Sequence, residues 1–360
     1  MNKTGIANLP LHSGRAPYWL FKRMVALSRA IIELMIIEFG REEFLRRLSD
    51  PYWFQSLGCV LGFDWHSSGV TTTVTGALKE ALKGMENEFG LFIAGGKAQR
   101  AIQTPQEIIN YAESGGFDSE PLVYASRLTA KVDNVAVQDG FNLYHHTIFF
   151  TSDGHWCVIQ QGMNESLSIA RRYHWLSFTL KSFVEEPHEA VCCDVKTETL
   201  NFTAKESSDL RRASVIVSKE KPEKIIKEIQ KISELKLPKR HLITLNDINP
   251  QHLYKIFLKT YEKQPENFES LLEIKGLGPK ALRAIALTSE IIYGTPIVFK
   301  DPAKFSFAHG GKDRTPYPVD RRIYDKTIEV MKKAISYAKI GRMEKISALR
   351  RISKIIESPY

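Results

Sequence analysis

The stretch that most constrains this chain is Leu271-Leu-Glu-Ile-Lys-Gly-Leu-Gly-Pro-Lys-Ala-Leu-Arg-Ala-Ile285. It reads as the end of a short apolar helix, a hairpin carrying Gly276 and Gly278, and a second helix opening at Pro279. Glycines at these two positions permit a tight backbone reversal, and proline suits the first helical position. Such a turn leaves amide N–H groups bare at a helix start, where the helix dipole favours an anion. Lys275, Lys280 and Arg283 flank the turn, so the expected anion is a phosphate.

Charge follows the same division. Residues 216–360 hold 29 Lys/Arg against 17 Asp/Glu, a net of +12, whereas the whole chain of 360 residues carries +9. The first 215 residues are therefore slightly acidic, at −3. A basic half carrying a phosphate-type turn points to nucleic acid. A membrane partner is not expected, because no amphipathic anchor stands out and Ala30–Ile37 is too short to span a bilayer. The N-terminus has no uninterrupted apolar signal core, so a cytoplasmic protein is expected. Cys59, Cys157, Cys192 and Cys193 form no C-x-x-C pair, so no zinc site is expected and buried free thiols are.

Residues 271–285 resemble the helix-hairpin-helix motif that grips the DNA backbone without reading sequence. The expected DNA contacts are Lys275, Gly276, Gly278, Lys280 and Arg283, with Lys312, Arg321 and Arg322 from the basic segment beyond. The region is also similar to the endonuclease III-type DNA glycosylases at two points. Lys280 stands where their amine nucleophile stands, and Pro318-Val-Asp320 matches their catalytic carboxylate at a helix start. That resemblance implies a lyase in which Lys280 attacks the sugar and Asp320 stabilises the developing cation or moves protons. Forty residues separate the two, a longer spacing than that family uses.

The expected fold class is α+β: a mixed α/β domain over 1–215, then an all-α helix-hairpin-helix domain over 216–360. Apolar spacing predicts a helix from Leu20 to about Phe39 stopped by Gly40, and another over Glu42–Leu48. Pro51–Gly58 is aromatic-dense and expected inside, and a helix is expected near Val74–Lys83. Gly90–Lys97 is a short β-like run ending in Gly-Gly-Lys, and Thr104-Pro-Gln-Glu107 reads as a capping box. Ser152-Asp-Gly154 predicts a turn between two strands, with Trp156, Val158 and Gln160 on one face and His155, Cys157, Ile159 and Gln161 on the other. Helices are expected over Pro222–Lys236, Asn249–Lys263 and from Pro279 to Tyr293, stopped by Gly294.

The densest polar chemistry lies in the first half. Asp64 and His66 sit in a glycine-bounded turn; Lys131, Asp133, Asp139, His145, His146, Gln160 and Gln161 follow in and around the hairpin. This set is the candidate catalytic site, with Gln160 and Gln161 positioning substrate. An Asp before a polar hairpin is similar in layout to metal-dependent nuclease cores, which would imply Mg or Mn as cofactor. The acidic-x-Lys pair of such cores is absent, and Gln160 and Gln161 stand in its place.

Over most of its length the chain resembles an archaeal and bacterial family, number 763 of the domains of unknown function. The segments that carry this are Asp64-Trp-His-Ser-Ser-Gly69, Lys131-Val-Asp133, Gln138-Asp-Gly140, Gln160-Gln-Gly-Met-Asn164, Ala170-Arg-Arg-Tyr-His-Trp175 and His309-Gly-Gly-Lys312. The resemblance implies no reaction. The leading expectation is a DNA-processing or repair enzyme, with metal-dependent hydrolysis and base excision both open. The alternatives are a non-catalytic nucleic-acid-binding protein and a small-molecule enzyme in which the hairpin is only a fold element.

Overall fold

The computed structural model describes residues 9–11, 16–63, 67–193, 195–234, 250–303 and a few turns of helix between 328 and 350. It is a mixed helix and sheet structure, as the sequence indicates. Its first element, α1 (Tyr18–Ser49), is interrupted at Gly40, whose φ of 81 and ψ of 162 break the helical path. The sequence expected two helices here, and glycine at this left-handed φ supplies the kink between them. Asp50 then accepts from the N–H groups of Tyr52 and Trp53, opening α2 (Pro51–Leu61), with proline at its first position. The aromatic segment expected inside is thus a helix, nearly all of it buried. Next come α3 (Gly69–Leu82) and α4 (Glu86–Phe89).

The main sheet is antiparallel, with order β1 (Leu91–Lys97), β3 (Asn142–Thr151), β4 (Trp156–Asn164), β5 (Ile169–Leu176) and β6 (Ala190–Cys192). The turn at Ser152–Gly154 joins β3 to β4, as expected. Between β1 and β3 the chain forms α5 (Gln99–Ile102), α6 (Thr104–Gly115) and α7 (Glu120–Lys131). A π-helical turn, Val132–Ala136, extends α7 and leads to β2 (Val137–Gln138), which pairs with β7 (Leu200–Asn201). Beyond β7 run α8 (Ser208–Ser218), α9 (Pro222–Glu234), α10 (Pro250–Lys263), α11 (Phe268–Glu273) and α12 (Pro279–Tyr293). Position 215/216, where the sequence suggested a border, falls inside α8.

The capping box expected at Thr104 does not form. Thr104 Oγ1 donates to the Ala101 carbonyl at 2.8 Å, continuing from α5. Glu107 is drawn instead to the Gly95 N–H and the Lys79 ammonium, both at 2.6 Å. A cation and a strand amide together outcompete the helix start for that carboxylate.

Alternation gives the sheet two buried faces. Ile93, Phe149, Cys157 and Ile159 pack against α1, α2 and α3 in one apolar cluster. Phe92, Ile148, Phe150, Val158, Tyr173 and Trp175 face α6 and α7 in another. That second cluster continues without a break through Phe202 and Leu210 to Leu271 of α11, Leu277 of the turn, and Leu282 and Ile285 of α12. The residues after α12 return to the small sheet. The Asn201 N–H donates to Val298 O at 3.0 Å and the Lys300 N–H to Thr199 O at 2.9 Å, alongside β7.

Candidate functional site: a buried polar web and an exposed turn

The polar side chains predicted in and around the hairpin lie on both faces of the sheet, and strand register decides which of them meet. Across β3, β4 and β5, His146 is level with Gln160 and Gln160 with Tyr173. On the opposite face His145 is level with Gln161 and Gln161 with Arg172. The two adjacent histidines and the two adjacent glutamines therefore serve separate networks.

On the first face the π-helical turn brings Asp133 over the sheet, where it is fully buried. One carboxylate oxygen accepts from Gln160 Nε2 at 2.6 Å and Trp175 Nε1 at 2.9 Å, and the other from His188 Nε2 at 2.5 Å. With its nitrogen turned to an acceptor, Gln160 presents its oxygen to His146 Nδ1 at 2.9 Å. That fixes the tautomer: Nδ1 carries the proton and Nε2 accepts, and the Ser126 hydroxyl lies 2.8 Å from Nε2. Burial lowers the His146 pKa to about 4, the hydrogen bond to Gln160 opposing it, so the ring is neutral at neutral pH. The chain Ser126–His146–Gln160–Asp133 thus accepts a hydrogen bond from a hydroxyl at one end and holds the imidazole in place from the other.

On the second face Gln161 accepts from Thr71 and donates to Ser68 O and to the Tyr144 hydroxyl. Arg172 is buried, donating to His174, Thr71 and Gln55, with its guanidinium 4.7 Å from the Phe54 ring. His145 Nε2 meets Thr75 and Thr147, both at 3.0 Å, and its Nδ1 finds no partner. Burial is the largest cause of its pKa falling to about 3.

Asp139 belongs to neither network. It accepts from Arg171 at 2.9 Å and Tyr173 at 2.6 Å, and Arg171 also reaches Asp301 at 2.8 Å. Burial raises the Asp139 pKa, and the adjacent Arg171 charge opposes that rise. Asp64, His66, Lys312, Asp320, Arg321 and Arg322 lie outside the described residues. Among the described residues, the group with metal-ligand spacing is Glu42, Asp153 and His155, none of which belongs to the candidate catalytic set. Asp153 there is already paired with Arg41 at 3.1 Å.

At the turn between α11 and α12, Gly276 has φ 101, Gly278 is extended, and Leu277 is buried. Lys275, Gly276 and Lys280 are exposed. From α10, the Lys259 ammonium approaches the Lys275 carbonyl at 3.5 Å. The inner side of the turn is fastened to α7 and β2. Lys131 Nζ donates to Leu277 O at 2.7 Å, and Gln138 Nε2 to Pro279 O at 3.0 Å. Arg283 donates to Gln138 Oε1 at 2.8 Å, so this expected phosphate contact is engaged within the protein. Burial lowers the Lys131 pKa.

Sequence reasoning named Asp133, His146 and Gln160 but not Ser126 or Trp175 as members of the web. A signal was present for the strand residues: Arg171 to Trp175 alternate polar groups within an otherwise core-forming run. None existed for Asp301, which arrives from beyond α12.

These features define an α+β protein with a polar web inside its sheet and a lysine-flanked turn docked on its flank. A family model described as "Protein of unknown function (DUF763)" matches residues 5–319, and the chain belongs to that family. No curated protein and no solved structure matches it.

Proposed function

We propose that this is a DNA-binding protein that holds the backbone non-specifically through the turn at 274–280, in the manner of a helix-hairpin-helix. The observation that carries the reading is the turn itself: Lys275 and Lys280 stand exposed on either side of Gly276 and Gly278, on the half of the chain with net charge +12. Lys259 adds a third cation beside it. Several ammonium groups near a helix start suit a phosphate and carry no base readout.

The test is duplex binding by Lys275→Ala/Lys280→Ala. Affinity for unrelated sequences falls about tenfold, and the slope of log affinity against log salt shrinks by about one per lysine. Unchanged affinity and slope would remove the reading.

The reading extends to DNA processing or repair, with chemistry in the sheet domain. What favours this is the contact of Lys131 with the turn, two residues before Asp133. Nicked, branched, abasic and single-stranded DNAs, each with and without Mg or Mn, decide it. Cleavage, base release or a borohydride-trapped adduct supports an enzyme; a trapped adduct that needs Lys280 supports the lyase variant. Binding without any of these leaves a non-catalytic DNA-binding protein.

A further inference from the structure

We infer that the first turn of α1 is a second nucleic-acid contact, one that stacks the bases of an unpaired strand on Tyr18 and Trp19. Both rings project into solvent, at 72% and 60% exposure, which is unusual for two adjacent large aromatics. Each has a cation beside it one helical turn on. Lys22 Nζ sits 4.7 Å from the centre of the Tyr18 ring, and the Arg23 guanidinium 5.4 Å from the Trp19 ring. A ring with a cation over one face and this much exposure keeps its other face open to water.

Charge selects the occupant. From Tyr18 to Arg29 the helix carries Lys22, Arg23 and Arg29 and no acidic residue, the first acid being Glu33, which pairs with Arg29 at 3.5 Å. Its start has neither a side-chain cap nor an acid in the first turn, so the positive end of the dipole is unopposed. Aromatic faces alternating with cations are what a flexible polyanion with flat bases requires. A duplex offers its phosphates but keeps its bases stacked inside. An unpaired strand offers both.

A membrane surface would use the same residue types. It would also need an apolar stripe along the helix, and here Met24, Leu27, Ile31 and Met35 are consumed by the core. Two rings at one end are too little to seat a helix in a bilayer interface. Pairing with a second copy of the chain would bring like charges together.

This site is independent of the turn at 274–280, and one experiment keeps them apart. Binding of a fluorescein-labelled oligo-dT of 20 nucleotides and of a 20-base-pair duplex is measured for the full chain, Tyr18→Ala/Trp19→Ala and Lys275→Ala/Lys280→Ala. The aromatic double variant weakens oligo-dT binding about tenfold or more while duplex binding stays within about twofold. The lysine variant weakens duplex binding. Since both aromatics are exposed, the thermal midpoint of the aromatic variant matches the parent. Oligo-dT affinity untouched by the aromatic change overturns the inference, as does an equal loss for both DNAs. Failure of the full chain to bind oligo-dT while binding phosphatidylserine vesicles also overturns it, in favour of a membrane.

Discussion

The amide nitrogen of Gln160 lies 2.6 Å from the carboxylate of Asp133, and this single contact sets the direction of every hydrogen bond out to Ser126. A carboxylate only accepts, so the amide cannot be the other way round without opposing two oxygens. The buried web is polarised from its acidic end.

Replacing Asp133 by Asn breaks that order. An NH2 group then faces donors from Gln160, Trp175 or His188, all of which lose their anionic acceptor inside the protein. The expected cost is about 3 kcal/mol, read as a lower urea midpoint at neutral pH with an unchanged slope. A midpoint equal to the parent's would mean that the web is relaxed by water.

The two neighbouring histidines make the fold sensitive to acid. Their ordinary pKa of 6.5 applies in the unfolded chain, and burial lowers it to about 3 for His145 and about 4 for His146. The unfolded state therefore takes up protons first as pH falls. This stabilisation is complete above about 6.5 and drains away toward pH 3–4. Thermal midpoints measured from pH 7.5 to 4 should fall steadily, and His146→Gln should flatten the descent. A flat profile in the parent would contradict the buried neutral rings.

Gly95 is required by its neighbours. Its φ is 97, and a Cβ there would lie 2.3 Å from the His146 carbonyl oxygen. Gly95→Ala must push β1 away from β3 at the position of His146. A loss of roughly 1–3 kcal/mol is expected for the backbone strain alone, measured by chemical unfolding.

The buried Arg171 of β5 clamps Asp139 to Asp301 beyond α12. Arg171→Met strips both carboxylates of their buried partner and costs about 3–5 kcal/mol. Hydrogen exchange localises the effect. The Asn201 and Lys300 amides, which zip 298–300 to the small sheet, should exchange faster than amides in β4.

Lys131→Met tests the fastening of the turn. It frees the Leu277 carbonyl and removes a desolvated charge at the same time, so stability changes by no more than about 1 kcal/mol. The measurable result is instead faster exchange of the Leu277 and Leu282 amides. Protection equal to the parent's would show that the apolar contacts of Leu277 alone hold the turn.

Much of the fold was legible from spacing. The ends of α12, the turn at Ser152–Gly154 and the faces of β4 follow from Pro279, Gly294, a turn tripeptide and strict alternation, all local signals. Thr104–Glu107 misled because Glu107 is taken by Gly95 and Lys79, a contact made only when α3 and α6 meet β1. The site was legible as a set of residue types and not as an arrangement. His145 and His146 are neighbours in sequence, yet the pleat sends them to opposite faces and into separate hydrogen-bond networks. Ser126 enters because α7 lies across β3, which no motif announces.

The return of residues 298–301 to β7 has a practical consequence for dissecting the chain. A fragment ended at Gly294 would keep every helix of the turn region but lose the strand-like segment that accepts from Asn201 and donates to Thr199. It would expose a bare sheet edge and leave Arg171 with one of its two carboxylate partners, the ingredients of a sticky, poorly behaved product. Boundaries for expression are therefore best drawn past Asp301, with the turn and the sheet kept on one polypeptide.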